Sequence, residues 1–431
     1  MNVYLRILAI IFLGTNCVLP FSINAQTKQR KFKEINWSVN VSKHKDSIKT
    51  TFFNLGLISN LEQQHGAGIN LIYSSVHHSM KGFQLSGFLG FNGSNIEGFQ
   101  IGGLGNIVKG NATGVMLAGL MNATGENASG LQTAGIVNVT GKSYNGLSIA
   151  GFMNISSEKM NGIQLSSVLN ASGGTMKGAQ IALLTNVGVD IEGLQTSFIS
   201  NISAKRIRGL QLGGIGNVAV NADKALQMTS LINVCLDKLH GGQFALGNYA
   251  EDIQGAQVGL INLSTGKIDG WQIGIINHSK DTTAHKIGLI NINPKTRIQA
   301  MFYGGNTSKT NIAIRFKNQK NYSILGIGTH YLDLDDRFSG CLFYRTGLYF
   351  PLKKKFEISG DLGYFHIENF ENENDVIPER MYSLQARINL EYKVLTKLSI
   401  FVSTGYAMTR HYHKNKFFER KAIIEGGIVL F

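Results

Sequence analysis

The chain has 431 residues, 51 of them glycine and only 4 proline, with a net charge of +14. That much glycine argues against long helices, since each interior glycine costs about 1 kcal/mol relative to alanine; without a collagen period it fits repeated tight turns in β structure. The charge is not the footprint of a nucleic-acid groove: residues 51–296 carry 14 basic against 12 acidic side chains, the excess sits at the two ends, and no basic stripe is interleaved with aromatics.

In chain order, Arg6, the apolar run Ile7–Leu13 and the small residues ending at Ala25 predict a signal peptide over 1–25, cleaved after Ala25, and hence an exported protein. No later apolar stretch is long enough for a transmembrane helix. Residues 26–51 read as a basic N-terminal segment. Within it, Glu34 to Ser42 alternates Ile35, Trp37, Val39 and Val41, which predicts an edge strand added to the C-terminal domain. Cys17 leaves with the signal, and Cys235 and Cys341 lie in different segments, so neither a disulfide nor a metal framework is expected.

Residues 52–296 carry a sixteen-residue period. Glycines stand at Gly82, Gly98, Gly114, Gly130, Gly146, Gly162 and Gly178, and later units shorten by one or two residues. Such a period marks a stacked, quasi-one-dimensional architecture. Sixteen residues with alternating apolar positions suffice for one coil of a parallel β-solenoid, two short strands and two turns. About fifteen coils stacked at about 4.8 Å would make a rod on the order of 70 Å, with a narrow interior of Leu, Ile, Val, Phe and Met. An asparagine recurs in each coil: Asn106, Asn122, Asn138, Asn154, Asn170, Asn186, Asn201, Asn217, Asn233, Asn248, Asn262, Asn277 and Asn291. These are expected to form a structural ladder, satisfying backbone groups at a turn in left-handed φ and bonding along the stack. Gln84, Gln100, Gln132, Gln164, Gln180, Gln195 and Gln211 alternate with apolar neighbours. They are expected to face outward, as a solvated stripe or as a binding stripe for glycan or ice.

The beat stops near Asn291, and residues 297–431 alternate over longer segments: 297–304, 309–317, 322–331, 340–350, 355–367, 381–394, 398–410 and 421–431. Leu384, Ile388 and Leu390 fall on one face and Gln385, Arg387, Asn389 and Glu391 on the other. Segments of that length joined alternately by short turns and long polar loops predict an antiparallel, eight-stranded outer-membrane-type β-barrel. Glu425 shares a face with Val429 and Phe431, which conflicts with a lipid-facing surface there. A soluble β-sandwich or barrel is the competing reading. The fold class is thus all-β.

The units Gly98-Phe-Gln-Ile-Gly-Gly-Leu-Gly-Asn106 and Gly270-Trp-Gln-Ile-Gly-Ile-Ile-Asn277, with the opening Asn36-Trp-Ser-Val-Asn and Phe53-Asn-Leu-Gly-Leu-Ile-Ser, resemble the bacterial surface-repeat-containing proteins of Bacteroidota-type envelopes. The resemblance covers roughly residues 34–300. It implies a cell-envelope location and no established activity, so it assigns no functional residue.

No nucleophile elbow, zinc-protease helix motif or phosphate-binding loop is present. His411 and His413, the pair His77–His78, and Asp333, Asp335 and Asp336 read as surface residues, so no metal and no cofactor is expected. The preferred function is a non-enzymatic envelope protein, held in the outer membrane by its C-terminal domain and presenting the solenoid to a protein or glycan partner, with no nucleic-acid role. Two alternatives stay open. One is a polysaccharide-active β-helix enzyme, for which Asp190, Glu192, Arg206 and Arg208 come nearest to a catalytic cluster. The other is a small outer-membrane pore, disfavoured because side chains fill an eight-stranded barrel.

Overall fold

The computed structural model describes residues 36–45, 48–330, 332–333, 337–353, 355–372, 378–412 and 417–431. The expected signal peptide and residues 26–35 lie outside them. The described chain is all-β: a parallel β-solenoid followed by a closed antiparallel β-barrel.

Each sixteen-residue unit winds once around the solenoid axis. Gly98, Gly114, Gly130, Gly146 and Gly162 pair in parallel register, as do Asn106, Asn122, Asn138, Asn154 and Asn170. A typical coil has a longer strand, Ala128–Ala134, and a shorter one, Val137–Thr140. A tight bend at Gly135 and Ile136 joins them, and a polar bend at residues 141–143 leads to the next coil. From Leu169 to Val258 the polar bend straightens, and short and long strands merge into runs such as Leu169–Ala182; beyond Val258 they are separate again.

The interior differs from the expected one. Gln132, Asn138 and Thr140 point inward beside Ala128 and Ala134, all buried. The large apolar part of the filling lies mainly two residues before the glycine, where Met80, Ile96, Met160, Met176, Ile191 and Ile207 are fully buried. Met116 stands in register with Gln100 and Gln132, and Val108, Ala219 and Cys235 fill from the shorter strand. Most Leu and Phe of the repeat point out. A flattened coil has only two walls, so alternation divides residues between faces without saying which face is inside. Amides that bond their own copies along the axis are satisfied there, and buried polar groups are tolerated on that condition.

The expected edge strand is corrected in its partner. Trp37–Lys45 pairs antiparallel with Ile48–Leu61, the first solenoid strand, from Lys45 opposite Ile48 to Trp37 opposite Ile58. Sequence proximity makes this a hairpin, and it covers a sheet edge that would otherwise be open.

The barrel strands are Arg297–Gly305, Thr310–Lys317, Asn321–Thr329, Arg337–Lys353, Phe356–Asn372, Arg380–Leu395, Leu398–His411 and Phe417–Leu430. Each pairs with the next, and Phe417–Leu430 returns to Arg297–Gly305, closing the cylinder. The strand ends at Lys317 and Asn321, Lys353 and Phe356, and Leu395 and Leu398 lie at one end of the barrel; those at Gly305, Thr329, Asn372 and His411 lie at the other, where the short strand Leu332–Asp333 pairs with Arg337–Lys353.

Candidate functional site: polar interiors under apolar surfaces

Both modules put polar groups inside and apolar groups outside. In the solenoid, two amide ladders run along the axis. From Asn106 through Asn248, and again from Asn262 through Asn291, each Asn donates from Nδ2 to the Oδ1 of the Asn one coil further on, at 2.8–3.1 Å. Most also donate to a backbone carbonyl of the opposite wall, as Asn138 does to Ile149 O at 2.8 Å. They sit in strands with ordinary backbone geometry, not in left-handed turns; among the described residues only Lys224 combines a side chain with positive φ.

Gln84, Gln100, Gln132, Gln164, Gln180, Gln195 and Gln211 are all buried, so the expected outward stripe is corrected. The later ones form the second ladder: Gln180 donates to Gln164, Gln195 to Gln180, Gln211 to Gln195, Gln227 to Gln211 and Gln243 to Gln227, at 2.7–2.8 Å. This ladder donates toward the N-terminus and the Asn ladder toward the C-terminus. Their side-chain dipoles therefore oppose one another, and neither end of the stack accumulates charge from both.

The ladder begins at Asn106. The rung before it carries Gly90 at that position, and the two rungs before that carry Ser74 and Ser59. Around Gly90, Gln100 Nε2 and Oε1, Asn106 Oδ1 and Ser86 Oγ are buried without a protein partner. A Cβ at Gly90 would meet chiefly the mobile end of Gln100, 2.7 Å away. Gly90→Asn is expected to stabilise the solenoid by about 1 kcal/mol, the usual net worth of a hydrogen bond. A thermal midpoint equal to or below that of the natural chain would refute this.

The candidate catalytic cluster is an ion-pair network on the polar bend. Arg206 donates to Asp190 at 3.0 and 3.1 Å and lies 3.6 Å from Glu192; Lys177 is 3.3 Å from Glu192. Arg208 pairs with Asp223 at 2.6 Å. The hydrogen bonds from Arg208 hold the Asp223 carboxyl below its ordinary range, the opposite of what a general acid needs. Burial pushes the Cys235 thiol up to about 12, so it is an inert core residue. His77 and His78 are exposed, and His411 packs against Phe418. Among the described residues no group of three His, Cys, Asp or Glu could hold a metal; His413, Asp335 and Asp336 lie outside them.

The barrel lumen is filled. Arg345 donates from Nε and an Nη to both oxygens of Asp361, at 2.8 and 2.7 Å, and Tyr322 and Asn389 each donate to Asp361 at 2.8 Å. Arg387 and Glu425 form a second bidentate pair at 3.0 Å, with Thr307 donating to Glu425 at 2.9 Å. Arg315 and Glu391 form a third at 2.8 Å, and Lys317 pairs with Glu357. Tyr303, Phe343, Phe365 and Phe401 pack between these layers. Glu425 and Val429 point into the lumen and are buried, while Phe431 lies past the last strand, so the expected conflict on that face does not exist. A filled lumen argues against a pore.

Outside, the barrel is apolar. Ile312, Ile327, Leu342, Leu348, Leu362, Leu384, Ile388, Val402 and Ile424 are exposed. Tyr364, Tyr382 and Tyr412 cluster on the outer face toward the end with the longer segments, and Phe356 packs tilted against Tyr392 at the end with the short turns. An apolar band between aromatic girdles around a polar interior is the surface of an outer-membrane-type barrel. The alternation of Gln385, Arg387, Asn389 and Glu391 signalled the inward face; nothing in the sequence singled out Arg345 with Asp361, whose pairing needs the three-dimensional neighbourhood.

No family model matches the chain. No curated protein matches it either. Among solved structures, it is similar to one described as the crystal structure of Neisserial surface protein A (NspA), over 31% of this chain and 93% of that chain, with 10% identity and a TM-score of 0.21.

Proposed function

We propose that this is a non-enzymatic cell-envelope protein whose barrel sits in the outer membrane and whose solenoid is a scaffold on the periplasmic side. The observation that carries this is the inverted polarity of the barrel: ion pairs inside, an apolar band with aromatic girdles outside. Water would penalise that surface, and lipid would not. The chain path supports the periplasmic side. Arg297 enters beside Lys317 and Leu430 leaves beside Leu398, both at the end with the short turns. Short turns face the periplasm in barrels of this type. The resemblance to surface-repeat proteins favours the outside instead, so the two readings separate experimentally.

The test is Lys142→Cys, on the exposed polar bend, probed with a membrane-impermeant maleimide. Cys235 and Cys341 are buried and stay silent. Labelling is expected only after the outer membrane is permeabilised, with the protein in the outer-membrane fraction. Labelling of intact cells would move the solenoid outside; recovery in the soluble fraction would remove the barrel from the membrane.

A further inference from the structure

The solenoid carries its own apolar surface, and its position in each coil is systematic. Every Lys, Arg, Asp and Glu from Lys81 to Lys238 lies in the polar bend or within the three residues before the glycine position. The rest of each coil, the longer strand from its glycine onward, the tight bend and the shorter strand, has no charge over that stretch. Along the tight bend Phe88, Leu104, Leu120, Ile136 and Phe152 stack at sixteen-residue spacing, 41–52% exposed although copies above and below cover each one. The apolar surface continues onto both walls, with Phe99 and Ile163 on the longer strand and Leu89 and Ile232 on the shorter.

The ridge residues bond to one another from rung to rung through their backbones. Leu104 N donates to Phe88 O at 2.8 Å, Leu120 to Leu104 at 2.8 Å, Ile136 to Leu120 at 2.9 Å, and Phe152 to Ile136 at 3.0 Å. The charged bend bonds in the same way, as Gly125 N to Val108 O at 2.8 Å and Lys142 N to Glu126 O at 3.0 Å, so exposure and charge, not backbone pairing, tell the two edges apart. On the opposite edge, charges pair between neighbouring coils: Lys81 with Glu97 at 3.0 Å and Glu126 with Lys142.

We infer that the solenoid is a lipid-surface wedge, its ridge of Phe88 to Phe152 sunk edge-on into a phospholipid leaflet and its charged bend left in water. A folded partner or a second copy would cover one flat wall; this surface wraps around an edge and onto both walls, a shape that a fluid solvent of acyl chains covers and a rigid face does not. The mixed, nearly balanced charge of the outer edge points to acyl-chain burial, not headgroup charge, as the source of binding. The inference rests on the envelope reading only for a membrane to meet; its geometry is the solenoid's own.

The test uses the full chain in vesicles of phosphatidylcholine with or without brominated acyl chains, which quench tryptophan by contact. The two native tryptophans, Trp37 and Trp271, are replaced by Phe. Single tryptophans are then placed at the ridge (Phe152→Trp), the charged bend (Lys142→Trp) and the outer barrel face (Ile388→Trp). Phe152→Trp is expected to lose most of its emission in brominated vesicles and Lys142→Trp to keep it. Equal quenching at the two solenoid positions, or none at Phe152→Trp, overturns the wedge, and so does a ridge shielded by self-association. Ile388→Trp reports the barrel separately: quenched there and silent at the ridge, the barrel reading stands and the wedge falls; the reverse pattern sinks the barrel reading alone. Should Phe152→Trp fail to fold, Trp271 in a Trp37→Phe chain, 46% exposed on the longer strand, gives the same readout.

Discussion

Asp361→Ala is expected to destabilise the barrel by about 3–5 kcal/mol, the range for removing one partner of a buried ion pair. The size of the effect comes from what stays behind. Arg345 is 1% exposed, and its remaining contacts are neutral: Tyr303 at 3.2 Å and Asn389 at 3.1 Å. Tyr322 and Asn389 also lose the acceptor they share. The double variant Arg345→Met with Asp361→Leu removes both charges and fills similar volume. Such replacements of a whole buried pair are often neutral or stabilising, so most of the loss is expected to return. Denaturant midpoints of the detergent-folded chain, read by the heat-dependent gel shift of a closed barrel, measure both. If the double variant is as unstable as Asp361→Ala, the pair itself holds the barrel together, and desolvation of a stranded arginine is not the explanation.

The same residues show what could be read from the sequence. The sixteen-residue beat was legible because in-register stacking demands the same residue in the same place on every rung. The barrel strands were legible because a lumen and a lipid face impose a period of two over eight or more residues, as in Ser383 to Glu391. Polarity of the solenoid was not. Gln and Asn alternate with Leu and Ile in the repeat, and the usual rule, apolar inward, picks the wrong face. What overrides it is cooperative: one buried Gln is costly, but Gln195 between Gln180 and Gln211 has a partner on both sides. The partner of the N-terminal strand is not legible for a simpler reason, since alternation identifies a strand and says nothing about its neighbour. Gly90 becomes legible only once its rung is known, as the position just before the first Asn of the ladder.

Gly114→Ala is expected to destabilise the solenoid by about 3 kcal/mol or more, and Gly146→Ala by clearly less, although the two glycines occupy the same place in their coils. Both have positive φ, +122° and +140°, and a Cβ on either would lie 2.0 Å from the carbonyl oxygen of the glycine one rung below. A methyl group cannot fit there without moving the backbone. The chain contains one example of how it can move. Ala225 takes the place of the glycine between Gly209 and Gly241, and there Lys224 adopts φ of 49° with register slips on either side. The left-handed residue has stepped back by one. That escape depends on the preceding residue: Asn145 enters the left-handed region readily, whereas the β-branched Thr113 does not. Adding Thr113→Asn to Gly114→Ala should therefore recover much of the loss. Thermal unfolding followed by far-ultraviolet circular dichroism compares the three variants. Equal losses at the two glycines, or no rescue by Asn, would show that the contact with the rung below decides the cost and that left-handed strain does not.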